Sequence, residues 1–227
     1  MNEEMQNEKR QDGKKQLEYE NVLAGKTEGM IREPLIAYKS ERKQGEYTLE
    51  DYYALPDERR VELIDGVIYD IAAPTHIHQL ISGQIFRTLA DYIDRSNGTC
   101  IPAYAPLDVQ LDCDDKTMLQ PDVLVVCDRS KFRKGIVYGA PDLVVEILSP
   151  STRKKDSYLK TEKYANAGVR EYWQVDPEKR KVLVYDYEHD DWPVLYSFED
   201  TVPVRIYGGD CKVDFAEIYE YVRFLYE

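Results

Sequence analysis

A chain of 227 residues, 43% hydrophobic and 32% charged, is long enough for one domain with a substantial core and short for two. An aromatic share of 11%, carried mostly by 19 tyrosines, argues against disorder, and no apolar stretch is long enough to span a bilayer. The net charge of −13 excludes a uniformly polyanion-binding surface, so a nucleic-acid role would have to rest on local basic clusters.

Residues 1–45 are rich in Glu, Lys, Gln and Asn with few periodic apolar positions, and they read as a flexible charged extension without the apolar run of a secretory signal. Residues 46–227 read as a single domain, and the expected location is cytoplasmic. Thr48 followed by Leu49-Glu50-Asp51 is a close variant of a capping box, and Pro56 closes the short helix it starts. The Asp65-Gly66 dipeptide predicts a tight hairpin between strands at 60–64 and 67–71. From His78 the spacing turns helical, with Ile77, Leu80, Ile81, Ile85, Leu89 and Ile93 three or four apart, giving about five turns before Asn97-Gly98. Three β-rich runs follow at 107–111, 123–127 and 143–148. A helix over 156–167 stops at Gly168, and a strand pair spans 171–176 and 181–185. A short strand at 194–198 and an amphipathic helix from Asp214 complete the domain. This order predicts an α+β (mixed α/β) layered fold, with a central sheet flanked by the two longer helices. Cys100, Cys113, Cys127 and Cys211 contain no C-x-x-C pair and read as reduced thiols.

The chemistry centres on Glu146. Its segment Leu143-Val144-Val145-Glu146-Ile147-Leu148 is apolar on both faces, as in a strand buried inside a sheet. A carboxylate there needs a cation, a proton or hydrogen bonds, so a salt bridge and a metal ligand are both open. Two Pro-Asp pairs offer a second carboxylate. Asp142 starts about 13 Å from Glu146 along the same strand, too far to share a cation, whereas Asp122 sits on a separate run that can lie about 4.8 Å away. Asp142 is therefore read as a cap. Beyond Ser149-Pro150-Ser151-Thr152, the positions Asp156, Lys160, Lys163 and Tyr164 fall on one helix face. Read from spacing alone, Lys160 is a surface partner of Asp156. Residues 151–163 also carry Arg153, Lys154 and Lys155, and Arg129, Lys131, Arg133 and Lys134 form a second basic cluster; both are read as flanking the acidic site and as a path for a polyanion.

Residues 46–176 resemble the Uma-type family of putative restriction endonucleases of bacteria, a branch of the PD-(D/E)xK nuclease superfamily. The matching pieces are Tyr47-Thr48-Leu49-Glu50-Asp51-Tyr52, Glu62-Leu63-Ile64-Asp65-Gly66, Pro121-Asp122, Val145 to Thr152, Lys160-x-x-x-Tyr164 and Gly168 to Trp173. Each piece is weak alone and the combination is specific. The resemblance implies a restriction-endonuclease-like fold in which Asp122 and Glu146 bind Mg²⁺ (or Mn²⁺) and a lysine completes the centre. The superfamily pattern puts that lysine two residues after the acidic strand position, which here is Leu148; the resemblance moves it to Lys160, with Lys154, Lys155 and Lys163 as alternatives. It also brings in His78 and lifts Glu62, which alternation alone turns outward, to an acid at the site's edge.

Together these readings predict a metal-dependent endonuclease hydrolysing DNA, with Asp122, Glu146, Lys160, Glu62 and His78 at its centre and Arg153, Lys154, Lys155 and Lys163 contacting nucleic acid. One rival is an inactive nuclease-fold module that binds nucleic acid or protein. Another is a structural oligomer, a homodimer being one form of it, with the C-terminal helix residues Tyr219, Tyr221, Phe224 and Tyr226 as the interface. His76 and His189 have no functional reading, and Tyr164 and Trp173 are assigned to packing.

Overall fold

The computed structural model describes residues 42–56, 59–149, 156–189 and 192–227, which fall in one unit of structure, Ser40–Glu227. Most of the extension read at 1–45 lies outside them. The short helix α1 (Leu49–Tyr53) starts at Thr48, whose N–H donates to Asp51 Oδ2 at 2.8 Å, completing a capping box with aspartate as the acid. Strands β1 (Val61–Ile64) and β2 (Val67–Asp70) pair antiparallel. Asp65 and Gly66 between them have φ of 50° and 75°, both in the left-handed region that a two-residue turn requires. A Cβ at Gly66 would strike the backbone carbonyl of Gly45, so this glycine is demanded twice over.

The long helix α2 (His76–Arg95) begins two residues earlier than the periodicity predicts, because Thr75 caps it and accepts from His78 N. It buries Ile81, Ile85, Leu89 and Ile93 against one face of a six-stranded sheet. That sheet has the order β11-β10-β9-β8-β5-β3, built from β3 (Ile101–Tyr104), β5 (Val123–Val126), β8 (Leu143–Ile147), β9 (Glu171–Asp176), β10 (Lys181–Asp186) and β11 (Val194–Ser197). All neighbours are antiparallel except β8 and β9, which run parallel. Helix α4 (Phe215–Val222), capped by Asp214, joins α2 on the same face. The opposite face carries Leu124, Val126, Val144 and Tyr172, and is covered by helix α3 (Thr161–Ala167) together with Ile64, Val109, Leu111 and Val137. No helix among the described residues is long and apolar enough to cross a membrane.

Several elements depart from the expected pattern. The run at 107–111 yields only the two-residue β4 (Val109–Gln110), which leaves the main sheet to pair with β7 (Ile136–Tyr138); β7 in turn pairs with β6 (Phe132–Arg133). The unexpected β3 contains Pro102, tolerable because β3 is the sheet's edge and a missing N–H there breaks no ladder. A two-stranded ribbon of β12 (Thr201–Pro203) and β13 (Lys212–Asp214) was also not foreseen. The helix over 156–167 opens with a π-helical turn, Asp156–Lys160, before α3 proper, and Gly168 closes it at φ 89°. Cys100 and Cys127 are not free thiols: they form a disulfide with an S–S distance of 2.06 Å. The antiparallel register pairing Ile101 with Val126 brings these two together one step further on, an adjacency that their separation of 27 residues conceals.

Candidate active site

Strand alternation fixes which acids can meet. On β5 and β8 the residues Val123, Val125, Leu143, Val145 and Ile147 face α2, so Leu124, Val126 and Val144 face the other way, and Glu146 with them. Asp122 precedes β5 by one residue. The register pairs Val123 with Val145, and extending it one step sets Asp122 directly across from Glu146 on that second face. Gln174 of β9 lies opposite Glu146 on the other side, so three polar residues form a row where the apolar sheet face ends.

Lys160 closes over this row from the turn before α3. Its ammonium lies 2.8 Å from Glu146 Oε1 and 2.8 Å from Glu62 Oε1, and all three residues are buried, with exposures of 2–3%. Glu62 therefore does not face outward as alternation suggested: every residue of β1 is buried, because the hairpin packs its second face on the site rather than on solvent. Gln120 N also donates to Glu62 Oε1, at 3.3 Å. One turn beyond Lys160, the hydroxyl of Tyr164 donates to Glu146 Oε1 at 2.6 Å. Burial, reinforced by the Glu146 charge and opposed by Lys160, holds that hydroxyl well above the ordinary tyrosine range, so it stays a donor. Tyr164 thus packs, with its ring 4.9 Å from that of Tyr172, and also serves the acid, a role that a packing assignment missed. Trp173 is fully buried and donates from Nε1 to Glu171 Oε1 at 2.6 Å, away from the row.

Asp122 is held from two sides. Its Oδ2 accepts from Ile147 N at 2.8 Å and lies 3.0 Å from His78 Nε2. His78 Nδ1 is buried and meets no partner among the described residues. Asp142 sits at the other end of β8, accepting from Cys127 N at 2.7 Å and pairing with Arg170 at 3.2 Å, a capping role. The cleft that opens over Glu62, Asp122, Glu146 and Lys160 has a volume of about 350 Å³. It shares His78, Gln79, Ala105 and Asp122 with an adjoining hollow of about 270 Å³ that runs to Phe86 and the exposed ring of Tyr104.

Of the cations expected to greet a polyanion, those among the described residues have other partners. Lys163 points at the hairpin, pairing with Asp65 Oδ1 at 2.7 Å and with Asp112. Burial works against its charge, but the hydrogen bonds to Asp112 and Asp65 outweigh it and raise its pKa. That charge is matched within the protein. The cluster from Arg129 to Lys134 does not flank the site: it follows the far end of β5 from Asp122, and none of it lines the cleft. Arg129 and Lys131 instead donate to the carbonyls of Thr99 and Ala140. Arg153, Lys154 and Lys155 lie outside the described residues, as does the side chain of Asp156. Arg60, Gln120 and Gln174 also border the row or the cleft. Only the strand alternation of Gln174 could have signalled any of them.

Residues 49–206 match the family model Uma2, described as "Putative restriction endonuclease". An uncharacterized protein of Synechocystis sp. is 29% identical over 170 residues, covering 73% of this chain and 88% of its own length. A crystal structure of a putative nuclease of the DUF820 group from Anabaena variabilis superposes with a TM-score of 0.64 at 20% identity, covering 77% of this chain and 98% of that one. The fold is accordingly α+β and restriction-endonuclease-like.

Proposed function

Since the chain belongs to the Uma2 family of putative restriction endonucleases, we propose that it is a metal-dependent endonuclease that hydrolyses the phosphodiester backbone of DNA at the Asp122–Glu146 cleft. The observation that carries this reading is the placing of Asp122 across from Glu146 at one end of a buried strand pair, with Lys160 brought down on Glu146 from the following helix. Apolar residues of like volume often serve stability as well or better, so two acids and a lysine in a sheet interior point to a role beyond stability.

The donor set fits a hard cation. Asp122 and Glu146 present carboxylate oxygens to one cleft, and Mg²⁺ or Mn²⁺ is commonly held through one or two carboxylates with water completing its shell. Bound there, the cation would lower the pKa of a water and offset charge developing on the phosphate. The chain's own residues prepare the place. Ile147 N and His78 fix Asp122, while Lys160 and Tyr164 converge on a single oxygen of Glu146 and so fix that carboxylate's orientation. Glu62 holds the Lys160 ammonium from the other side, keeping a positive charge in the centre. His78 and Glu62 are thus positioning residues.

A second reading, a nuclease-fold module that binds nucleic acid without cutting it, has one observation in its favour. Among the described residues no group of three or more His, Cys, Asp or Glu side chains is arranged to hold a metal ion. Purified protein with plasmid and oligonucleotide DNA, with and without Mg²⁺ or Mn²⁺, separates the two. Metal-dependent cleavage lost in Glu146→Gln and Asp122→Asn, yet kept in Asp142→Asn, is the expected result. Binding without cleavage by the wild type would overturn the enzyme reading, and equal loss in Asp142→Asn would show that the wrong aspartate was chosen.

A further inference from the structure

Lys160 is the obvious cation for a substrate phosphate, yet its ammonium is already matched by Glu62 and Glu146, both at 2.8 Å. Arg60 is placed differently. It precedes β1, is half-buried, and lines the same cleft as Asp122 and Glu146. Among the described residues it forms no ion pair; its Nη2 donates to a neutral acceptor, Gln120 Oε1, at 3.1 Å. Its Nε is buried and finds no acceptor there at all. Native interiors leave few polar atoms in that condition, and each one asks for an explanation. Nor is the side chain adrift, because Gln120 is itself anchored: its Nε2 donates to Asp108 Oδ1 at 2.8 Å, and the Tyr52 hydroxyl donates to the same oxygen at 2.9 Å. A guanidinium pinned at one nitrogen by a neutral amide, with the rest of its fork unmatched in a cleft that two acids also line, suits an oxyanion such as a phosphate, two of whose oxygens can accept the two parallel N–H bonds.

We infer that Arg60 is the anion subsite of this cleft and receives a backbone phosphate of the nucleic acid through Nε and its remaining Nη. The identity of that anion as a nucleic-acid phosphate rests on the nuclease reading; the presence of an oxyanion subsite does not.

Two measurements on the full chain test it, with Arg60→Met and the charge-retaining Arg60→Lys. In thermal melts, inorganic phosphate at matched ionic strength should raise the wild-type melting temperature relative to chloride, and that rise should vanish in Arg60→Met. In a salt titration with a DNA oligonucleotide, Arg60→Met should weaken binding roughly tenfold or more. It should also flatten the log–log salt slope by about 0.7–0.9. Arg60→Lys should fall between, keeping the slope and losing part of the affinity, since a point charge cannot reproduce the fork. In chloride the methionine variant should melt no lower than the wild type; an arginine serving only packing would lower it. Unchanged affinity and slope in Arg60→Met, or a stability loss in chloride that accounts for the lost binding, overturns the inference. If the wild type neither binds nor cuts DNA but still loses its phosphate response on Arg60→Met, the nuclease reading falls and the subsite stands. If the wild type cuts DNA and Arg60→Met cuts it with unchanged KM, the subsite falls and the nuclease reading stands.

Discussion

Replacing Lys160 by methionine removes the ammonium that Glu62 and Glu146 share at 2.8 Å each, in a place where all three residues are buried. A solvent-exposed i,i+4 pair, the role that spacing alone suggests, would cost about 0.3–0.5 kcal/mol to break. Removing one partner of a buried pair costs about 3–5 kcal/mol, because the other partner keeps its desolvation and loses its compensation. Donors that remain, Gln120 N to Glu62 and Tyr164 to Glu146 among them, soften that loss without replacing the charge. The loss of about 3–5 kcal/mol corresponds to a fall in melting temperature of about 6–20 °C for a chain of this size. Urea unfolding at neutral pH measures it directly. A double-mutant cycle with Glu62→Gln should return a coupling energy of at least 1 kcal/mol. A loss below about 1 kcal/mol for Lys160→Met, with no coupling to Glu62→Gln, would refute the reasoning and return Lys160 to the surface. The same variant should be tested for cleavage only well below its own melting temperature, so that a structural loss is not mistaken for a catalytic one.

Tyr164→Phe deletes the hydroxyl that donates to Glu146 and should cost about 1.5–3 kcal/mol in urea unfolding, the range for hydrogen bonds to charged groups; a change under 0.5 kcal/mol would show that the bond adds nothing. Gly66→Ala combines a left-handed backbone with a collision against the Gly45 carbonyl, and should destabilise by about 2–4 kcal/mol in the same assay, whereas a near-neutral result would mean that the hairpin relaxes freely. Thiol counting under denaturing, non-reducing conditions should find two free thiols, Cys113 and Cys211, and not four. Reduction of the Cys100–Cys127 bond, which closes a loop of 27 residues, should lower stability by about 3.5 kcal/mol on chain-entropy grounds; four thiols, or no change on reduction, would remove the bond from the fold.

What the sequence discloses is what short-range physics dictates. The Asp65-Gly66 turn, the five-turn helix, the doubly buried strand at 143–147 and the stop at Gly168 each follow from local sterics or from period, and each is found where expected. The choice of Asp122 over Asp142 as the partner opposite Glu146 is likewise a matter of strand rise and strand spacing, and the register agrees with it. What stays hidden depends on which elements meet. Glu62 looked solvent-facing because alternation says which side a residue takes but not what covers that side. Cys100 and Cys127 looked unrelated because only the β3–β5 pairing joins them. Arg60 offered no motif at all; its interest comes from an acceptor that is missing in three dimensions.

The position of the lysine ties several of these points together. Two residues after Glu146 the chain has Leu148, itself buried, so the strand cannot bring an ammonium to its own acid. The cation arrives from the next helix instead, and its placing then depends on how that helix docks. Lys163, three residues on, is held between Asp65 of the hairpin turn and Asp112, and this fastens the helix to the hairpin that also carries Glu62. Lys163 thus ties the helix to the hairpin while its own charge is matched inside the protein. Of the two lysines described on this segment, one therefore serves the centre and the other the scaffold. This division also leaves Arg60, across the cleft, as the cation there that no described carboxylate claims.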